Sequence, residues 1–163
     1  MHSIRRTHLG LLCVLALPLA LWGCGSGFTE EMRQQESEMT NESADWNSKL
    51  PQWLKDVSDQ SAWHASHPVP AADAEKVESL RKHVERMSNH GEALARFRQS
   101  LDEHLAKLQE ERAKPEKGRV AAHAGLWAEH LKLKAEFGLL SSAHEDLAKE
   151  HGEMVAASQG AGS

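Results

Sequence analysis

Between residues 72 and 157 the sequence sets seven histidines on a seven-residue repeat. His83, His90 and His104 share one phase, with Phe97 in the missing step. His123, His130, His144 and His151 share a second, with Phe137 in its gap. Imidazole titrates near neutral pH and is the commonest protein ligand for transition metals, suiting zinc, copper and nickel. Histidines repeated every seven residues along a helix therefore offer either metal coordination or a seam that responds to protons.

The candidate metal ligands are His83, His90, His104, His130, His144 and His151. A facing pair gives two ligands, whereas zinc takes three or four. His64 and His67 are the available third donors, and nothing in the sequence fixes them near the repeat. Within a helix, neighbours three or four residues away share a face. At those offsets none of the seven histidines has an Asp or Glu, while Arg86, Lys107, Arg119 and Lys134 lie close. Nearby cations disfavour an added positive charge, proton or metal. The Glu-x-x-His pattern of di-iron bundles and the Cys-x-x-Cys-His haem attachment are both missing. The first reading is thus of neutral histidines packed on a seam. Copper, zinc or nickel binding comes second. A seam loosened by protonation around pH 5–6 comes third.

These residues need long helices to position them. Ala72 to Ala113 contains no proline. Val77, Leu80, Val84, Met87, Gly91, Leu94, Arg98, Leu101, Leu105 and Leu108 alternate by three and four, as on a coiled-coil seam. Lys114-Pro115-Glu116-Lys117-Gly118 reads as a turn. A second helix follows from about Arg119 to Ala157, striped by Leu126, Leu133, Leu140, Leu147 and Met154. Gly125, Gly138 and Gly152 weaken it. In an antiparallel hairpin, facing residues have a constant sum of numbers. Centring the turn on Lys117 sets that sum at 234 and pairs His83 with His151, His90 with His144, Phe97 with Phe137 and His104 with His130. Glu111 then faces His123.

The first hairpin helix has an apolar stripe wider than one seam, since Val77, Val84 and Leu105 flank it. Such a stripe calls for a further partner. The N-terminal Trp/Met segments are the nearest candidates, with Trp127 and Leu131 extending the surface to be covered. A helix from Thr29 to Lys49 is capped by Thr29, with Glu30 and Glu31 in its first turn. Pro51 restarts the chain, because proline suits a first helical turn. His64 to Ala71, with Pro68 and Pro70, reads as an extended break. The expected fold class is all-α: a long antiparallel helical hairpin over 72–157 with N-terminal helical segments, completing a three- or four-helix bundle.

The N-terminus carries a basic head with Arg5 and Arg6, an apolar run from Leu9 to Trp22, then Gly23-Cys24-Gly25. Such a short apolar run behind a basic head marks a secretory signal. Leu21-Trp22-Gly23-Cys24 resembles the lipobox of bacterial lipoproteins, with Leu21, Gly23 and Cys24 at the matching positions. That resemblance implies removal of residues 1–23 and lipidation of Cys24, which anchors the chain to a membrane as palmitate-bearing lipoproteins are anchored. It also implies a cell-envelope location, at the outer membrane facing the periplasm if the host is Gram-negative. Residues 24–71 are then anchor, tether and short helices, and 158–163 a disordered tail.

The chain has 19 Lys+Arg against 24 Asp+Glu, a formal net charge of −5, so it lacks the basic stripe that nucleic acid requires. Of two cysteines, Cys13 lies in the leader, so no disulfide is available afterwards. No phosphate loop, paired-carboxylate site or nucleophile–base motif stands out. The expectation is a non-enzymatic, lipid-anchored structural or adaptor module. It binds a protein partner or itself, with no cofactor. The alternative is a histidine-rich periplasmic lipoprotein that sequesters copper, zinc or nickel.

Overall fold

Among the described residues, three helices account for the fold: α1 (Glu30–Ser66), α2 (Ala74–Ala113) and α3 (Glu116–Gly160). They belong to a computed structural model that describes residues 27–69 and 73–160. Each start is written locally. The Thr29 side chain accepts from the Met32 N–H and that of Asp73 from the Lys76 N–H, which satisfies donors that a helix N-terminus leaves free. Pro115 opens α3, its carbonyl accepting from Gly118 and Arg119. The described residues contain no strand, and the all-α bundle has three helices rather than four.

The α2–α3 hairpin has the predicted register. Ring contacts join His83 to His151, His90 to His144, Phe97 to Phe137 and His104 to His130. All four pairs sum to 234. The stripe residues Leu94, Leu101, Leu133 and Leu140 are buried between these layers, with Phe97 at the centre. α2 starts at Ala74, close to the expected boundary, and α3 extends at both ends, from Glu116 to Gly160. Three residues of the expected tail are therefore helical.

α1 differs from expectation. It runs unbroken through Pro51 and past His64, so the expected restart at Pro51 and the break beginning at His64 are both overturned. A proline inside a helix removes one hydrogen bond and crowds the carbonyl four residues back, at a cost of about 3 kcal/mol. Here the ring and Asn47 both face solvent, so water can serve the freed Asn47 carbonyl. Trp46 and Leu50 on one side of the proline, and Trp53, Leu54 and Val57 on the other, pack on the same core. Tertiary burial on both sides outweighs the local penalty. Gly91 permits the approach, since a Cβ there would lie 3.3 Å from Val57 Cγ1.

α1 lies parallel to α3 in a fixed register. Gln35 meets His123 and Glu42 meets His130, each pair 88 residues apart. Asp56 with His144 keeps that offset, as do Trp63 and His151. The wide stripe of α2 is thus covered from within the chain. Leu105 packs on the core, while Val77 and Val84 stay about 40% exposed.

Candidate functional site

A stack of histidine layers fills the bundle axis. His83, His90, His104, His123, His130 and His144 are buried, and His151 is half-buried at the open end. All six candidate metal ligands therefore fall in the three facing pairs expected of them. Facing rings stand 5.5 Å apart for His90 and His144, and 5.4 Å for His104 and His130.

For five of the seven histidines, a carboxylate missing from the histidine's own helix face comes from across the bundle. Glu150 accepts from His83 Nδ1 at 2.8 Å, and Glu42 of α1 accepts from His130 Nε2 at 2.9 Å. Asp56 of α1 lies 3.3 Å from His144 Nε2, and Glu111 the same distance from His123 Nδ1. Three of the four cations that weighed against the histidines use acids that also face a histidine, while Arg119 pairs with Glu36 instead. Arg86 binds Glu150, Lys107 binds Glu129 beside His104, and Lys134 binds Glu42. The positive charge around His83, His104 and His130 is therefore smaller than their own helices imply. The sequence signal for this is the Glu-His pair at 129–130 and again at 150–151, which the hairpin register sets opposite His104 and His83.

α1 adds a second shell of rings. Trp46 stacks on His130 and Phe137 with centroids at 5.0 and 5.3 Å, and Trp53 stacks on Phe137 and His144 at 5.1 and 4.9 Å. Lys49 sits over the Phe137 ring. Where α3 carries histidine, α1 therefore supplies an acceptor, Gln35, Glu42 or Asp56, and where α3 carries phenylalanine it supplies a cation. The outermost layer departs from this alternation. There α1 supplies Trp63 and His64.

His64 is one of the two histidines that the sequence left unplaced. It is buried against His83 and His151, with centroids at 5.0 and 4.9 Å. One ring nitrogen from each of the three lies within 4.8 Å of the others, and this is the one such three-ligand group among the described residues. His67 does not join it: the ring stacks on Trp63 and its Nδ1 bonds the Trp63 carbonyl. Burial, then the neighbouring His83, His151 and His67, pushes His64 from the usual 6.5 down to about 4. Burial and His83 also lower His151.

The inner layers are expected to make the bundle sensitive to acid. Burial, then the facing His144, lowers His90; burial, then His130, lowers His104 against the pull of Glu129. Asp56 stands behind His144, and Lys107 and Glu42 flank the His104–His130 layer. A histidine depressed on folding binds protons more readily when unfolded. Its contribution is complete above about pH 6.5 and is lost as pH falls through that value toward the folded one. The melting temperature is expected to fall between about pH 7.5 and 5, and a His90→Leu/His144→Leu variant to fall less. An unchanged wild-type melt would refute this. Glu42 loses its effect only at lower pH. Burial raises its pKa, but bonds to Lys134 and His130 outweigh that and hold it below 4.5.

Among the described residues the two best-formed clefts are shallow and open, lined mainly by charged side chains such as Arg86, Glu150, Lys107 and Lys114. Neither offers the enclosed apolar pocket typical of a small-molecule site. No protein-family model, curated protein or solved structure matches the chain. Cys24 lies outside the described residues.

Proposed function

We propose that this protein is a lipid-anchored envelope lipoprotein whose helical rod acts as an adaptor, presenting the outer face of α3 to a helical segment of a protein partner. One observation carries the reading. At 3.6 residues per turn, Ala121, Ala124, Ala128, Leu131, Ala135, Gly138, Leu139 and Ser142 fall on the side of α3 opposite its core, and all are exposed. Leu139 is 75% exposed. A solvated helix face normally carries charge. Over about six turns this one carries a single charge, Lys132 at its edge one heptad before Leu139, and its small residues allow a second helix to approach closely. An added Cβ at Gly125 or Gly138 would meet nothing within 4 Å, so these glycines answer no packing need inside the bundle.

By helix propensity alone these glycines are only weak points, and the apolar width of α2 is taken up by α1. The telling signal is a nearly uncharged phase in α3, opposite the histidines and leucines. No helix of the described residues is long and apolar enough to cross a membrane, and lipidation at Cys24 supplies the anchor in this proposal. Several acyl chains hold stably where one does not.

Gly138→Ala separates the two roles of that face. It is expected to stabilise the isolated bundle by about 0.5–1 kcal/mol through helix propensity, while weakening partner capture. A photo-crosslinker at position 135 in the native envelope is expected to trap a distinct protein, and Leu139→Arg to abolish the adduct. Adducts only between copies of the chain would reassign the face to self-association. Loss of acyl labelling and membrane retention in Cys24→Ser tests the anchor.

A further inference from the structure

We propose that His64, His83 and His151 bind one divalent transition-metal ion of the imidazole-preferring class, with zinc as the fitting case, stapling the ends of all three helices together. The three donors come from α1, α2 and α3 and already lie within 4.8 Å of one another. Zinc–nitrogen bonds of about 2.0–2.1 Å in a tetrahedral site place ligand atoms roughly 3.3 Å apart. Small ring rotations close that gap.

The first ligand is prepared for the task. His83 is fully buried and its Nδ1 bonds Glu150 at 2.8 Å. That bond puts the proton on Nδ1 and the lone pair on Nε2, which is buried and has no hydrogen-bond partner. A carboxylate behind a histidine whose other nitrogen is free is the outer-shell arrangement that fixes the tautomer of metal ligands. A buried, unpartnered nitrogen in a polar cluster calls for an explanation such as an ion.

The second and third ligands face one another, His151 Nδ1 lying 3.1 Å from His64 Nε2. Burial keeps His64 neutral at pH 7, the form that ligates. Arg86 bonds the same Glu150 oxygen as His83, at 2.9 Å, so the carboxylate offsets its charge next to the cluster. The outermost layer is also the one where α1 brings a histidine instead of an acid or amide. Three imidazoles leave a fourth position for solvent, as in three-histidine zinc sites. The inner pairs, His90–His144 and His104–His130, form no group of three donors lying within 4.8 Å of one another and stay outside the proposal.

Calorimetric titration of the full chain, purified in detergent and stripped with chelator, provides the test. Zn2+ is expected to bind one to one at micromolar concentration or tighter and to raise the melting temperature. His64→Ala should weaken binding at least a hundredfold, and Glu150→Gln by 10–100-fold. His90→Ala/His144→Ala should leave affinity and stoichiometry unchanged. Helical circular dichroism confirms that each variant is folded. If His64→Ala does not fold, His151→Gln at the half-exposed end replaces it. Cobalt substitution should give the intense visible bands of a four-coordinate site. The proposal is overturned by absence of saturable binding below about 100 μM, by unchanged affinity in the folded ligand variant, or by stoichiometry that tracks the inner pairs.

Discussion

Replacing Trp46 with alanine is expected to destabilise the bundle by about 3–5 kcal/mol, the range for removing a large aromatic side chain from a core. Trp46 is 4% exposed and bridges two layers, His104–His130 and Phe97–Phe137. It stacks on His130 and Phe137 and meets Phe97 edge-on at 5.9 Å. Aromatic pairs add roughly 0.5–1.5 kcal/mol each beyond area burial. The loss also removes the cover that keeps the His104–His130 layer dry. Urea unfolding followed by circular dichroism measures the effect directly. A cost below about 1 kcal/mol would mean that α1 is not docked through this side chain. Trp63→Ala, at the bundle end, should cost clearly less, because fraying there leaves the central core intact.

A loss of similar size is expected for His123→Leu, and its partner variant makes the cause visible. His123 and Glu111 are both almost fully buried, with Nδ1 and Oε1 3.3 Å apart. The second carboxylate oxygen of Glu111 is buried without a hydrogen bond. His123 Nε2 is also 2.9 Å from Gln35 Oε1, and Phe28 packs edge-on against the ring. Taking away the imidazole strands Glu111, and breaking a buried pair from one side costs about 3–5 kcal/mol. Replacing both groups by leucine removes the stranded charge and should recover most of the stability. The two single variants and the double form a mutant cycle. Additive losses would show that Glu111 and His123 act independently.

These two sites also mark where the sequence is legible. The α2–α3 register can be read to the residue because both helices carry the same repeat, and only one antiparallel alignment puts Phe97 on Phe137 and the histidines on one another. The Glu111–His123 layer follows from that alignment. Trp46 is visible only as a tryptophan at helical spacing. Met39, Ser43, Trp46, Leu50, Trp53, Val57, Gln60 and His64 alternate by four and three without interruption. They form a third seam that ends on His64. Pro51 hides it, because the local rule against proline inside helices points to a restart where the periodicity in fact continues for about seven turns. Carrying the alternation through the proline is what brings His64 alongside the hairpin.

The sequence alone therefore determined the helical class, the antiparallel pairing of α2 with α3 and the layering of histidine and phenylalanine. All three are properties of period, and period is written in one dimension. Only the tertiary structure decided that α1 passes unbroken over Pro51, that the carboxylate partners of the histidines reach in from other helices, and that His64 completes a trio with His83 and His151. It also decided which face of α3 is left bare. Each of these depends on burial summed over neighbours that are close in space and far apart in the chain. There the free energy of packing on both sides of a proline, or of a cross-helix ion pair, outweighs what the adjacent residues prefer.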